Sequence, residues 1–176
     1  MQNTMILGTG RSGTSMVTAC FRNTGVFFGD QLIKATPANP FGYYESQDIN
    51  GLNNKIIFRL LYPRGTYRLR RFIYPSTHYD WRAFWAVLPH AARAVRVQSD
   101  ERASIEHLCA NQPFCFKDPR LSATLSTWKP YLPENTRFLI VFRCPFRTVD
   151  SMLRDAQESY DPHLAFKRPA LLQTWI

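Results

Sequence analysis

An α/β domain, with a central parallel sheet flanked by helices on both faces, is the fold the sequence predicts. Three observations predict it. Met5 to Leu7 is a short apolar run ending in Gly8-Thr-Gly-Arg-Ser-Gly-Thr-Ser15, after which Met16, Ala19 and Cys20 recur at helical spacing. Two later apolar runs, Phe114 to Phe116 and Arg137 to Phe142, are each followed by apolar residues at helical spacing, and strands alternating with helices in this way imply parallel pairing. With 176 residues, 45% of them apolar and 14% aromatic, the chain can bury one sizeable core, so a single domain over residues 1–176 is expected.

The elements follow in order. Strand, glycine-rich loop and helix open the chain as far as Gly25, and Val26 to Phe28 reads as a second short strand. The stretch Lys34-Ala-Thr-Pro-Ala-Asn-Pro-Phe-Gly-Tyr-Tyr-Glu45 is a loop punctuated by Pro and Gly. From Asp48, the residues Ile49, Leu52, Ile56 and Leu60 keep one helical face, which predicts a helix to about Leu61. Between Tyr62 and Asn111, Arg64, Arg68, Arg70 and Arg71 alternate with aromatics without a clean period, as in a basic connection followed by helices. Phe114 to Phe116 reads as a buried strand ending in Lys117-Asp-Pro-Arg120, and Leu121, Leu125 and Trp128 mark the next helix. Arg137 to Phe142 is the strongest strand signal. It runs into Arg143-Cys-Pro-Phe-Arg147, with helical spacing resuming at Val149, Met152 and Leu153. Pro169 to Ile176 stops inside an apolar helical pattern, which predicts a C-terminally truncated domain, a piece of a longer one.

Lys and Arg number 22 against 13 Asp and Glu, a net charge of +9, so an anionic partner is expected. Nucleic acid is not the expected one, because the basic residues are dispersed and neither a zinc finger, a basic helix nor an aromatic RNA-binding strand is present. Cys20, Cys109, Cys115 and Cys144 form no CxxC pair, which disfavours a metal site. No apolar run is long enough for a transmembrane segment, and the N-terminus lacks a basic region followed by a long apolar one. A cytoplasmic protein with reduced thiols is expected.

A glycine-rich turn between strand and helix gathers backbone N–H groups at one point, an arrangement suited to phosphate. Three nucleotide-binding classes use such loops. Gly8, Gly13 and Ser15 fall on the frame of the triphosphatase loop GxxxxGK[ST], but Thr14 stands where the Lys belongs, as in a degenerate triphosphatase or kinase-like loop. The dinucleotide pattern GxGxxG is present as Gly8-Thr-Gly10-Arg-Ser-Gly13, with Asp30 at the distance of a ribose-binding acid, so an NAD-binding domain stays open as an alternative. Arg11 with the hydroxyls of Ser12, Thr14 and Ser15 adds charge and donors that a dinucleotide pyrophosphate does not require.

The third class is the more specific. Gly8 to Ser15 resembles the 5′-phosphosulfate loop of sulfotransferases that use 3′-phosphoadenosine 5′-phosphosulfate (PAPS), in the bacterial version of this P-loop-like family. Arg143-Cys-Pro-Phe-Arg-Thr-Val-Asp-Ser151 is similar to the family's 3′-phosphate motif, in which an Arg at a strand end and a Ser on the next helix grip one phosphate. Lys117-Asp-Pro resembles the Lys-Asp-Pro after the middle strand of bacterial and tyrosylprotein sulfotransferases, and Asn39-Pro-Phe-Gly-Tyr-Tyr-Glu45 resembles a stretch of the bacterial type. The resemblance covers Met5 to about Ile57 and Phe114 to about Leu153. It implies nucleotide-binding motifs over 5–15 and 137–153, with an acceptor-side insert over about 58–113 that matches nothing.

What the resemblance implies is transfer of a sulfuryl group from PAPS to a hydroxyl acceptor, carbohydrate, lipid, metabolite or protein tyrosine, without a required metal. Gly10, Arg11, Ser12, Gly13, Thr14 and Ser15 would hold the 5′-phosphosulfate, and Arg143 with Ser151 the 3′-phosphate. Arg11 would act as an electrostatic clamp because a guanidinium stays protonated, and Lys117 would neutralise the transferred group or act as the acid. The acceptor hydroxyl needs a base close to the sulfur. Glu45 is the first choice and Asp30 its rival, while His78, His90 and His107 sit in no matching motif. Lys117 and Arg120 have a structural alternative in ion pairs with Asp118, and Glu45 one as a carboxylate near a helix start.

Overall fold

The computed structural model describes residues 1–36, 39–61 and 96–158. Its centre is β1 (Thr4–Leu7), buried at all four residues. β2 (Cys115–Lys117) and β3 (Arg137–Ile140) lie parallel to it on either side, so Ile6 stands opposite Lys117 on one strand and Leu139 on the other. The expected α/β class with a parallel sheet is therefore present.

Side chains alternate across these strands, and two apolar layers result. Met5 and Leu7 of β1 and Phe116 of β2, with Phe114 stacked on Phe116 at 4.2 Å, face the larger layer. Three helices supply the rest of that layer: α2 (Gln47–Leu61) with Ile49, Leu52 and Ile56, α3 (Ser99–Ala110) with Ile105 and Leu108, and α4 (Leu121–Trp128) with Leu121 and Trp128. Ile6 and Cys115 face the other way, onto Val17 of α1 (Thr14–Ala19) and Phe21 beyond it. Helices thus cover both faces. A short 3₁₀ turn (Lys129–Tyr131) follows α4, and α5 (Pro145–Glu158) follows β3.

Polar contacts set how these helices dock. Asn53 of α2, fully buried, accepts hydrogen bonds from Thr124 Oγ1 and Trp128 Nε1 of α4, both 2.8 Å. Arg59 makes a two-pronged bond to Glu101 at 2.7 and 2.6 Å, and Glu101 Oε2 also accepts from the Gln98 N–H that caps α3. This fork ties α2 to the first turn of α3. At the start of α2, Ser46 Oγ accepts from the Asp48 N–H at 3.2 Å, which places the helix one residue earlier than Asp48.

Two strand expectations are corrected. Val26 to Phe28 forms no strand but a single parallel bridge, Phe27 to Phe114, because Gly25 and Gly29, both at positive φ, turn the chain away on either side. The apolar run from Arg137 pairs as a strand only to Ile140, and all four of its residues are exposed, with Ile140 and Phe142 about three-quarters so. Among the described residues no helix is long and apolar enough to cross a membrane. Arg64 to Arg71, His78, His90, most of the acceptor-side insert and Pro169 to Ile176 lie outside the described residues.

Candidate functional site

In a parallel sheet all C-terminal strand ends meet at one edge, where the connecting loops converge. The glycine loop follows β1 there, Lys117-Asp-Pro-Arg120 follows β2, and Arg143 follows β3. Gly8 is required by close approach: a Cβ at this position would lie 2.4 Å from the Val141 carbonyl oxygen and 2.9 Å from Thr14 Cγ2. The loop is held from inside by Ser12 Oγ donating to the Thr9 carbonyl at 2.6 Å, and Gly13, at φ 101°, turns it into α1.

Lys117 is the centre of the site. Alternation along β2 places it on the same face as Cys115, toward α1. Its side chain is 3% exposed, and its ammonium meets three acceptors: Ser15 Oγ at 3.1 Å, the Tyr43 carbonyl at 3.0 Å and Glu45 Oε1 at 2.5 Å. A lysine has three protons to donate, so this set satisfies it. The Tyr43–Glu45 segment is brought in by antiparallel pairing of residues 31–33 with 45–47, through Ile33 N–H to the Glu45 carbonyl and Gln47 N–H to the Gln31 carbonyl. Burial pushes the Glu45 carboxyl above its ordinary range, opposed by the Lys117 ammonium beside it.

A second ion pair adjoins the first. Asp118, fully buried, accepts from the Arg120 N–H at 2.7 Å and from its guanidinium at 3.3 Å, and Arg120 Nε donates to Asn54 Oδ1 of α2 at 2.8 Å. Burial raises the Asp118 carboxyl and Arg120 opposes the rise. Both members of this second pair act on Glu45, Asp118 raising it and Arg120 lowering it.

The third contact spans the chain. Arg11 Nε donates to Ser151 Oγ of α5 at 3.0 Å, across 140 residues of sequence. Ser151 is buried, as is Thr148 one turn earlier. Among the described residues the buried hydroxyls Thr9 Oγ1 and Thr148 Oγ1 have no hydrogen-bond partner.

The candidates of the sequence thus divide. Ser15, Glu45 and Lys117 come together, and Arg11 meets Ser151; Gly10, Ser12, Gly13 and Thr14 shape the loop between. Arg143 is exposed. Asp30, the rival base, is not in the Lys117 group. Its carboxylate lies 3.4 Å from His107 Nε2 of α3, both side chains at least half exposed, in a shallow depression shared with Asp48 and Ser104. The pairing of 31–33 with 45–47 is the reason, since it delivers Glu45, not Asp30, to Lys117. Sequence reasoning missed the Tyr43 carbonyl, which as backbone leaves no signature, and the link from Arg120 to Asn54. Comparison of the chain with family models, curated proteins and solved structures returned no match.

Proposed function

We propose that this chain is a sulfotransferase of the P-loop-like type, moving a sulfuryl group from 3′-phosphoadenosine 5′-phosphosulfate to a hydroxyl acceptor. One observation carries the reading: Ser15 of the glycine loop, Tyr43 and Glu45 of the Asn39–Glu45 stretch and Lys117 of Lys117-Asp-Pro, three separate segments that resemble the family's motifs, meet in one buried hydrogen-bonded group. The Arg11–Ser151 bond adds the fourth segment. The residues also fit a polyanionic nucleotide chemically, since Arg11 and Lys117 supply cations and Thr9 Oγ1 and Thr148 Oγ1 are buried hydroxyls that lack a partner.

The step these residues would serve is an in-line displacement. The acceptor oxygen forms a bond to sulfur as the bond from sulfur to the bridging phosphate oxygen breaks, and that electron pair leaves with adenosine 3′,5′-bisphosphate. The acceptor proton passes to the Glu45 carboxylate, a stronger base than an exposed carboxylate because it is buried. Lys117 offsets the charge growing on the bridging oxygen, turning one donor from Ser15 toward it. Arg11 clamps the donor from the loop.

Calorimetric titration tests the reading. Adenosine 3′,5′-bisphosphate should bind at least tenfold more tightly than NAD, ATP with magnesium or a short oligonucleotide, a margin of about 1.4 kcal/mol. Preference for NAD or for ATP with magnesium would assign the loop to one of those classes and refute it.

A further inference from the structure

Glu45 reaches Lys117 because the chain around it closes on itself, and the closure is tight at one point. Residues 28–33 and 44–47 run side by side as a strap. The Ile33 N–H donates to the Glu45 carbonyl at 2.8 Å and the Gln47 N–H to the Gln31 carbonyl at 2.7 Å, Leu32 bridges Ser46, and the Phe28 and Tyr44 rings meet with centroids 6.3 Å apart. Gly29 turns the chain into this strap at φ 117°, a left-handed conformation that favours glycine. A Cβ there would lie 2.3 Å from Ser46 Cβ and 2.4 Å from Ser46 Oγ. Ser46 has little freedom to yield: it is fully buried, and its Oγ accepts from the Asp48 N–H at the start of α2. A side chain at position 29 therefore presses on the residue next to Glu45, whose carboxylate Lys117 holds together with the Tyr43 carbonyl.

We propose that Gly29 is a positioning residue for Glu45: its missing Cβ lets the strap shut, and the shut strap holds the Glu45 carboxylate on Lys117. The part this plays in proton transfer rests on the sulfuryl-transfer reading, whereas the placement of the carboxylate does not. The consequence is a separation between two halves of the site. The glycine loop is held by Ser12 and turned by Gly13, neither of which belongs to the strap. Forcing the strap open therefore displaces the carboxylate and leaves the loop its shape. A strap that only added stability would leave Glu45 where it is in every variant that still folds.

The test is a carbon-13 titration of the Glu45 carboxyl in the ligand-free full chain, its signal assigned by its absence from Glu45→Gln, beside nitrogen-15 detection of the Lys117 ammonium. In the wild type, burial holds the Glu45 titration above the ordinary carboxyl range, and the ammonium with its three acceptors is protected from exchange with water. Gly29→Ala should return the Glu45 titration toward the ordinary range and abolish the protected ammonium signal. Adding Ser46→Gly to it leaves the Cα of position 46, at 3.5 Å, an ordinary contact, and should restore at least part of both signals. Gln47→Pro opens the strap from its other arm: it deletes the N–H bonded to Gln31 at the first position of α2, where proline is tolerated, and should move Glu45 in the same direction. Should Gly29→Ala fail to fold, Gln47→Pro decides alone. A Glu45 titration unmoved in the folded variants, or a Gly29→Ala, Ser46→Gly protein no nearer the wild type than Gly29→Ala, would overturn the proposal. Calorimetry with adenosine 3′,5′-bisphosphate reads the other half of the site: Gly29→Ala should bind within about threefold of the wild type, and a loss of about tenfold or more would overturn the separation. A wild-type chain that does not bind the bisphosphate refutes the nucleotide reading, while the carboxyl titration still decides whether Gly29 places Glu45.

Discussion

Removing the cation from the Lys117–Glu45 pair should make folding stability depend on pH in a specific way. Lys117→Met keeps most of the hydrocarbon and leaves Glu45, 9% exposed at its side chain, without its counter-ion. A buried carboxylate that loses its partner destabilises a protein by about 3–5 kcal/mol if it stays ionised. The alternative is to take up a proton. Starting from the ordinary carboxyl value of 4.5, that costs about 3.4 kcal/mol at pH 7 and about 1.4 kcal/mol at pH 5.5. Proton uptake is therefore the cheaper response, increasingly so as pH falls. The folded value then lies above the unfolded one, so the stability is fully present below the unfolded value and is lost as pH rises toward the folded one. Between pH 5.5 and 7 this single group removes up to about 2 kcal/mol from the Lys117→Met protein. The wild type loses less over the same range, because Lys117 opposes the rise at Glu45. Glu45→Gln has no group to titrate there and lacks the term. Urea unfolding at three pH values should rank the slopes Lys117→Met, wild type, Glu45→Gln from steepest to shallowest. Equal slopes for the first two, or a steeper one for Glu45→Gln, would refute the claim that the two charges compensate each other.

Other consequences are simpler. Gly8→Ala drives a Cβ to 2.4 Å from the Val141 carbonyl, backbone that cannot yield cheaply, so a loss of roughly 1–3 kcal/mol is expected by urea unfolding. Asn53→Ala leaves Trp128 Nε1 without its acceptor, while Thr124 Oγ1 keeps the Arg120 carbonyl at 3.1 Å, and should cost about 1–3 kcal/mol in the same assay, with a changed near-ultraviolet tryptophan signal. Thiol titration of the native protein should find Cys20 and Cys144, both exposed, and miss Cys109 and Cys115, whose values burial pushes up to about 11 and about 12; four fast thiols would contradict the packing. If Glu45 is the base, sulfuryl transfer requires its ionised form, and the acid limb of kcat should fall above the ordinary carboxyl range. A limb at or below pH 4.5 would remove Glu45 from that role.

Much of the fold is legible because short-range signals suffice for it. The run Met5 to Leu7 followed by glycines and a helical pattern can be little else, and Ile49, Leu52 and Ile56 are buried on the face that their spacing marks. Val26 to Phe28 misleads because β-propensity is local while pairing is not: Phe27 bonds to both Pro113 and Cys115, but the glycines two residues away on either side leave no length for a strand. In the site, which of Asp30 and Glu45 meets Lys117 was beyond the sequence, since it depends on an antiparallel pairing between two loops that carries no hydrophobic alternation. Arg11 and Ser151 were each visible, but a bond across 140 residues was not.

Backbone conformation singles out residues of the candidate site by a route that needs no motif. Among the described residues the non-glycine positions at positive φ are Arg11 at 64° and Tyr44 at 53°. Glycine would be the locally better choice at both, by about 1 kcal/mol each. Neither position is an arbitrary turn. Arg11 carries the guanidinium that reaches Ser151, and Tyr44 sits between the carbonyl and the carboxylate that Lys117 holds, with its ring against Phe28. Strain of this kind persists only where the surroundings fix it, and here the fixing contacts are the Lys117 hydrogen bonds and the Arg11–Ser151 bond. A sequence optimised for folding alone would place glycine at 11 and 44, so the side chains kept there at a local penalty mark the same edge of the sheet that the charges mark.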